Sequence, residues 1–287
     1  MSNGDRPRFL QLASALQEFV TVEGTQAQAH IRPLHQHVTV RLVLEGGFHP
    51  DEITPHPPLR VETRGGRKQL AFASDAEGDK EQTLLGGLKS KSVDVVVSKE
   101  GVGPVVAISV KGTGNAFRNL TNRMEEAIGD STNLHIMYPG LVYGFLHFLR
   151  ANRDGDPNLA PNDVALGAAG EPVPAIRRYH DVLLGLSGRR LVRDDLTRYE
   201  AVGLALVVPR GEGRNQLVNT FPPSDSPLHF GKFFDTLYSV YDLRYTYMAS
   251  SLAKLRRLEW DEDSPALRAI GSTETLSSLL GYPVRIA

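Results

Sequence analysis

Residues 92–112, SVDVVVSKEGVGPVVAISVKG, set an acid and an amine inside two apolar runs. Asp94 interrupts the valines of the first run, and the second ends in Ser109-Val110-Lys111. A charge in a hydrophobic strand is costly unless it is paired or used. The bland reading is a partly buried Asp94–Lys111 ion pair at a sheet edge. The other is a reaction site, with a carboxylate, a hydroxyl and an amine gathered at one place.

Spacing decides whether they can meet. Glu100-Gly101-Val102-Gly103 predicts a hairpin with Gly101 leading a two-residue type II′ loop. That loop sets Glu100 opposite Gly103 and Asp94 opposite Ser109. Alternation along the strands then puts Ser109 and Lys111 on the face of Asp94, and Ile108 and most valines on the other. The following GTGNAFRNLTNRMEEAIGD predicts a helix from about Asn115 to Ile128, ended by Gly129. Its apolar face is Phe117, Leu120, Met124, Ala127 and Ile128. At about 100° per residue, Glu125 lies beside that face and Glu126 points to water.

The arrangement resembles the PD-(D/E)xK nuclease superfamily, whose core hairpin carries an acid on one strand and (D/E)xK on the next. Asp94 matches the first acid and Lys111 the lysine. Val93 replaces a frequent proline, and Ser109 stands where the second acid should be. A subset of restriction endonucleases in this superfamily has SxK there, with the carboxylate supplied from the next helix in the pattern S-x-K-x13-E. Thirteen residues separate Lys111 from Glu125, so Ser109, Lys111 and Glu125 meet that pattern. The resemblance spans roughly Ser92 to Ile128.

It implies a restriction-endonuclease-like mixed sheet flanked by helices and a Mg²⁺-dependent endonuclease acting on double-stranded DNA. Asp94 and Glu125, with the carbonyl of Val110, would hold Mg²⁺, which prefers oxygen ligands and keeps several waters. The ion would polarise a phosphodiester, and Lys111 would orient the attacking water and stabilise transition-state charge. Cutting both strands of a symmetric site calls for two active sites, hence a homodimer. Two rivals stand beside a type II restriction enzyme: an inactive DNA-binding or assembly protein on the same fold, and a repair or defence nuclease without sequence specificity.

Other groups are weighed against these. Asn115, Arg118, Asn119, Asn122 and Arg123 offer amide and guanidinium donors for phosphate and base edges, or simply a solvated helix face. Gly112-Thr113-Gly114 resembles the start of a dinucleotide fingerprint, but Phe117 replaces its third glycine. His35 and His37, with His49 and His56 nearby, could form a zinc cluster, yet positions two apart do not share a helix face. Glu18 and Glu45 are acids on helices ahead of the hairpin. No G-x-S-x-G elbow or P-loop is present.

The positioning elements follow from periodicity. Helices are expected near Leu10–Val20, Pro33–Glu45, Pro174–Leu186 and Leu228–Leu258, and strands near Leu59–Thr63, Ser92–Val97, Val105–Lys111, Leu141–Phe148 and Ala201–Val208. Such alternation argues a mixed-sheet α/β or α+β fold. One domain over 1–287 is expected, with a core at about 85–210 between helical regions at about 1–60 and 225–287. The stripe Phe230, Phe233, Phe234, Leu237, Tyr241, Tyr245, Met248 and Leu252 reads as core or subunit interface. The absence of cysteine excludes disulfides, thiolate metal sites and a cysteine nucleophile. A net charge of −1 announces no nucleic-acid binder and excludes none, since local clusters set the field. The most apolar run, Leu141–Leu149, is too short to span a bilayer, and a cytoplasmic protein is expected.

Overall fold

The computed structural model describes residues 7–21, 30–73, 81–114, 120–247 and 253–287. In chain order come α1 (Leu12–Thr21), α2 (Arg32–Leu44), β1 (Ile53–Thr54), β2 (Leu59–Arg64), β3 (Arg67–Phe72), β4 (Gln82–Leu85), β5 (Ser90–Val93), β6 (Val95–Lys99) and β7 (Gly103–Thr113). There follow α3 (Leu120–Met137), β8 (Val142–Arg150), α4 (Pro174–Gly185), β9 (Ala201–Val207), α5 (Phe230–Tyr241), α6 (Pro265–Ile270) and α7 (Thr273–Leu280). The class is mixed α/β.

The central sheet runs β1-β6-β7-β8-β9. β1, β6 and β7 pair antiparallel, while β7–β8 and β8–β9 are parallel. The helices α3 and α4 are the crossovers that parallel pairing requires. β9 is buried throughout and β8 in all but Arg150. Such unbroken apolar runs are what a sheet covered on both faces demands. One face packs α1, α2 and α5 through Phe19, Leu34, Val38, Phe233 and Leu237. The other packs α3 and α4 through Met124, Ala127, Leu134, Ile176, Tyr179 and Leu183. Gly144 and Gly203 on adjacent strands admit α5: a Cβ at Gly144 would stand 2.7 Å from the Phe233 ring, and one at Gly203 3.3 Å.

Two helices depart from their expected limits. α3 passes through Gly129 to Met137 because tertiary bonds hold its second half. Asn133 Oδ1 accepts the N–H groups of Leu88 and Lys89, and Ser131 Oγ donates to the carbonyls of Leu196 and Arg198. α5 ends at Tyr241 and gives way to a π-helical turn over Asp242–Tyr247. That turn buries Arg244, whose Nη2 lies 2.7 Å from Glu200 and whose Nη1 donates to the Leu141 carbonyl. Phe233, Phe234, Leu237 and Tyr241 are core, as the stripe implies. Met248 and Leu252 lie outside the described residues.

Candidate active site

The hairpin reaches its expected register by a different route. Lys99 pairs with Gly103, so the loop is the three residues Glu100–Val102, closed by Val102 N–H donating to Lys99 O at 3.0 Å. A bulge between Val97 and Ser98 leaves Val105 as the extra residue on β7. From there Val97 faces Val106, Val96 faces Ala107 and Val95 faces Ile108. The longer loop and the bulge cancel, and Asp94 arrives at the level of Ser109.

Asp94 stands at the bend between β5 and β6 and is only 5% exposed. Its Oδ2 accepts the Val110 N–H at 2.8 Å and Lys111 Nζ at 3.1 Å. The backbone bond fixes the carboxylate and the lysine neutralises it, so a buried charge is tolerated. Lys111 keeps a side chain 29% exposed, open to a ligand arriving from solvent.

The other oxygen, Oδ1, lies 3.9 Å from Nε2 of His35 on α2. That nitrogen is buried and has no hydrogen-bond partner. Burial lowers the His35 pKa, partly offset by Asp94, with Lys111 lowering it further. The imidazole is therefore neutral near pH 7 and keeps a lone pair. His37, two residues on, points elsewhere: its Nδ1 is 3.1 Å from Phe9 O and its ring packs edge-on against Tyr282. The paired-histidine zinc cluster does not form. The sequence offers His35 only as part of a zinc cluster with His37, and its neighbour proves to be Asp94 instead.

Polar side chains continue beneath α3 and α4. Ser109 Oγ hydrogen-bonds Tyr143 OH at 2.9 Å and so has a structural partner at the vacated acid position. His147, opposite Lys111 in the parallel register, bonds Thr113 Oγ1 at 2.9 Å through Nε2 and Tyr179 OH through Nδ1. Burial, with Arg123 and Lys111 adding to it, drives the His147 pKa well below its ordinary value. Arg123 is thus close to the Lys111 end of the sheet, half-buried rather than fully solvated.

The migrated carboxylate is not brought in. Glu125 is exposed, with no hydrogen bond or ion pair to Asp94 or Lys111 among the described residues. Glu126, also exposed, faces Lys91 at 3.5 Å, beside the shorter Lys91–Asp130 pair. The tether between Lys91 on β5 and Asp130 fixes the roll of α3, which helical geometry alone leaves free. Asn122 is exposed, and Asn115, Arg118 and Asn119 lie outside the described residues.

Among the described residues no group of three His, Asp or Glu could hold a metal ion. Mg²⁺ is held through oxygen, by one or two carboxylates with water and substrate oxygens completing the shell, so Asp94 Oδ1 suits it and the His35 nitrogen facing that oxygen does not. Glu45 is committed elsewhere, bonded twice by Arg41 at 2.8 Å, and Glu18 pairs with Arg8. Gly112 serves packing, since a Cβ there would stand 2.7 Å from the Phe19 ring. No described helix is long and apolar enough to cross a membrane.

Comparison of the chain with protein-family models, with curated proteins and with solved structures gives no match.

Proposed function

We propose that the protein is a Mg²⁺-dependent DNA endonuclease, of the restriction type that its S-x-K-x13-E pattern resembles. The observation that supports this best is the division of labour on Asp94. One oxygen is held by Val110 N–H and Lys111 Nζ, and the other is turned towards an unpartnered, neutral imidazole.

Asp94 would hold the cation through Oδ1, beside the His35 imidazole, and the cation would polarise the phosphodiester and the attacking water. Glu125 and the Val110 carbonyl, assigned to the cation by the resemblance, belong to the same proposal for the DNA-bound state. Lys111 orients the water and supplies positive charge to the transition state. Arg123 adds a second cation near the Lys111 end of the sheet. Two copies acting on opposite strands would cut a symmetric site.

The separation of Glu125 from Asp94 favours the second reading, a DNA-binding or assembly protein without catalysis. Plasmid and phage DNA incubated with and without Mg²⁺ separates the readings. Discrete bands support a restriction enzyme, and a smear supports a non-specific nuclease. Intact DNA at every divalent cation tested, despite binding, leaves the inactive protein.

A further inference from the structure

A basic cleft opens where the parallel strands end. It has a volume of about 370 Å³ and is lined by Thr21, Arg150, Asn152, Arg210 and Arg214, with no carboxylate among its described lining residues. Arg150 closes β8, and its Nη2 donates to Phe19 O at 2.7 Å. Arg210 and Arg214 follow β9 on a loop stapled by two backbone bonds, Val208 N–H to Gln216 O and Asn215 N–H to Val208 O, each 2.9 Å. Among the described residues, their side chains bond neutral oxygens at 3.3 Å, Arg210 donating to Pro157 O and Arg214 to Thr21 Oγ1. Glu212 lies on the same loop but does not line the cleft.

The guanidinium groups of Arg210 and Arg214 share one cleft and repel one another, and an anion relieves the repulsion. Planar guanidinium forks match phosphate oxygens. The cleft lies beyond the Asp94–Lys111 site along β7. β7 runs out through Gly112 and Thr113 to Gly114, whose carbonyl accepts Asn152 Nδ2 at 2.8 Å. Three residues of extended chain from Lys111 to Gly114 span about 10 Å. Successive nucleotides of one strand rise about 3.4 Å along a duplex axis.

We propose that this cleft binds the sugar-phosphate backbone of the DNA strand, a few nucleotides from the phosphodiester at Lys111. The inference rests on the nuclease reading for its geometry but not for its test. Arg210 and Arg214 are binding residues that touch no reacting atom, and they set affinity and register rather than chemistry.

The test measures binding of a fluorescent 30-base-pair duplex to the full-length protein in EDTA, across a range of NaCl concentrations. The variants are Arg210→Gln, Arg214→Gln and their double, with Arg268→Gln on remote α6 as control. Each lost phosphate contact should lower the slope of log K against log[salt] by about 0.9. The double variant should lose about two units of slope and bind at least tenfold more weakly at low salt, while the control is unchanged. Inorganic phosphate at millimolar concentration should not displace the duplex. Wild-type slope and affinity in the double variant would overturn the proposal, as would phosphate displacing DNA stoichiometrically or a wild type that binds no duplex. Cleavage without Arg dependence sinks only the cleft. Arg-dependent binding without cleavage at any divalent cation sinks only the nuclease.

Discussion

His35 Nε2 and Asp94 Oδ1 face each other at 3.9 Å, a gap too wide for a hydrogen bond, between two buried side chains. A carboxylate held by Lys111 does not need the histidine, and the histidine has no other partner for that nitrogen.

If the proposed cation sits at Asp94 Oδ1 against the His35 ring, replacing His35 by Ala should raise the Mg²⁺ concentration for half-maximal cleavage at least tenfold. Metal titrations of the cleavage rate read this directly. An unchanged half-saturation with a lower melting temperature would make His35 a packing residue.

Glu125→Ala and Glu126→Ala separate adjacent, chemically identical residues. Neither is buried, so each should change stability little. Glu126 lies by Lys91, already held by Asp130, and its loss should leave cleavage intact. If DNA and metal draw Glu125 to Asp94, its loss should reduce cleavage at least tenfold with folding unaffected. Equal rates in both variants would remove Glu125 from the mechanism.

Much of this was legible in the sequence, and the exceptions have physical causes. The strand pairing was readable because Val95, Val97, Val106 and Ile108 share one core, although the expected strand Ser92–Val97 breaks at Asp94 into β5 and β6. The loop itself was misread because Gly101 and Gly103 both adopt positive φ, at 70° and 92°, which suits a three-residue turn with a compensating bulge. Gly129 reads as a helix stop only if Asn133 and Ser131 are ignored, and their partners lie on distant segments. His35 was legible only as half of a zinc pair for the same reason, since the group it faces is Asp94 on another element. The roll of α3 depends on the Lys91–Asp130 tether, so helical geometry set Glu125 beside the buried face when both glutamates are in fact exposed.

Glu200 illustrates a buried charge with a structural role. Its fully buried carboxylate meets Arg189, Arg244 at 2.7 Å, His135 at 3.3 Å and the Tyr143 N–H at 2.7 Å. Burial alone would raise its pKa, but the His135 and Arg244 contacts outweigh it and hold it low. Glu200→Ala strands two buried arginines and should cost about 3–5 kcal/mol. Urea unfolding measures it, and a loss below about 1 kcal/mol would contradict the assignment.

Buried His37 sets an acid limit. Burial, with Arg41 adding to it, pushes its pKa down to about 3. Between that value and the unfolded value of about 6.5, only the unfolded chain takes the proton. Stability should therefore fall as pH drops through this window, by roughly 1 kcal/mol per pH unit from this group. His37→Gln should flatten the dependence of the urea midpoint on pH between about 4 and 6. An unaltered slope would show that another group governs acid unfolding.

The most direct measurement is the single-turnover cleavage rate of duplex DNA by wild type, Asp94→Ala and Lys111→Ala in Mg²⁺, alongside binding of the same duplex in EDTA. Wild type should cut only with the divalent ion, and both variants should lose at least a hundredfold in rate while binding within about threefold of wild type. Wild-type protein that binds the duplex and never cuts it, or variants that cut as fast as wild type, would contradict the assignment of Asp94 and Lys111 to catalysis.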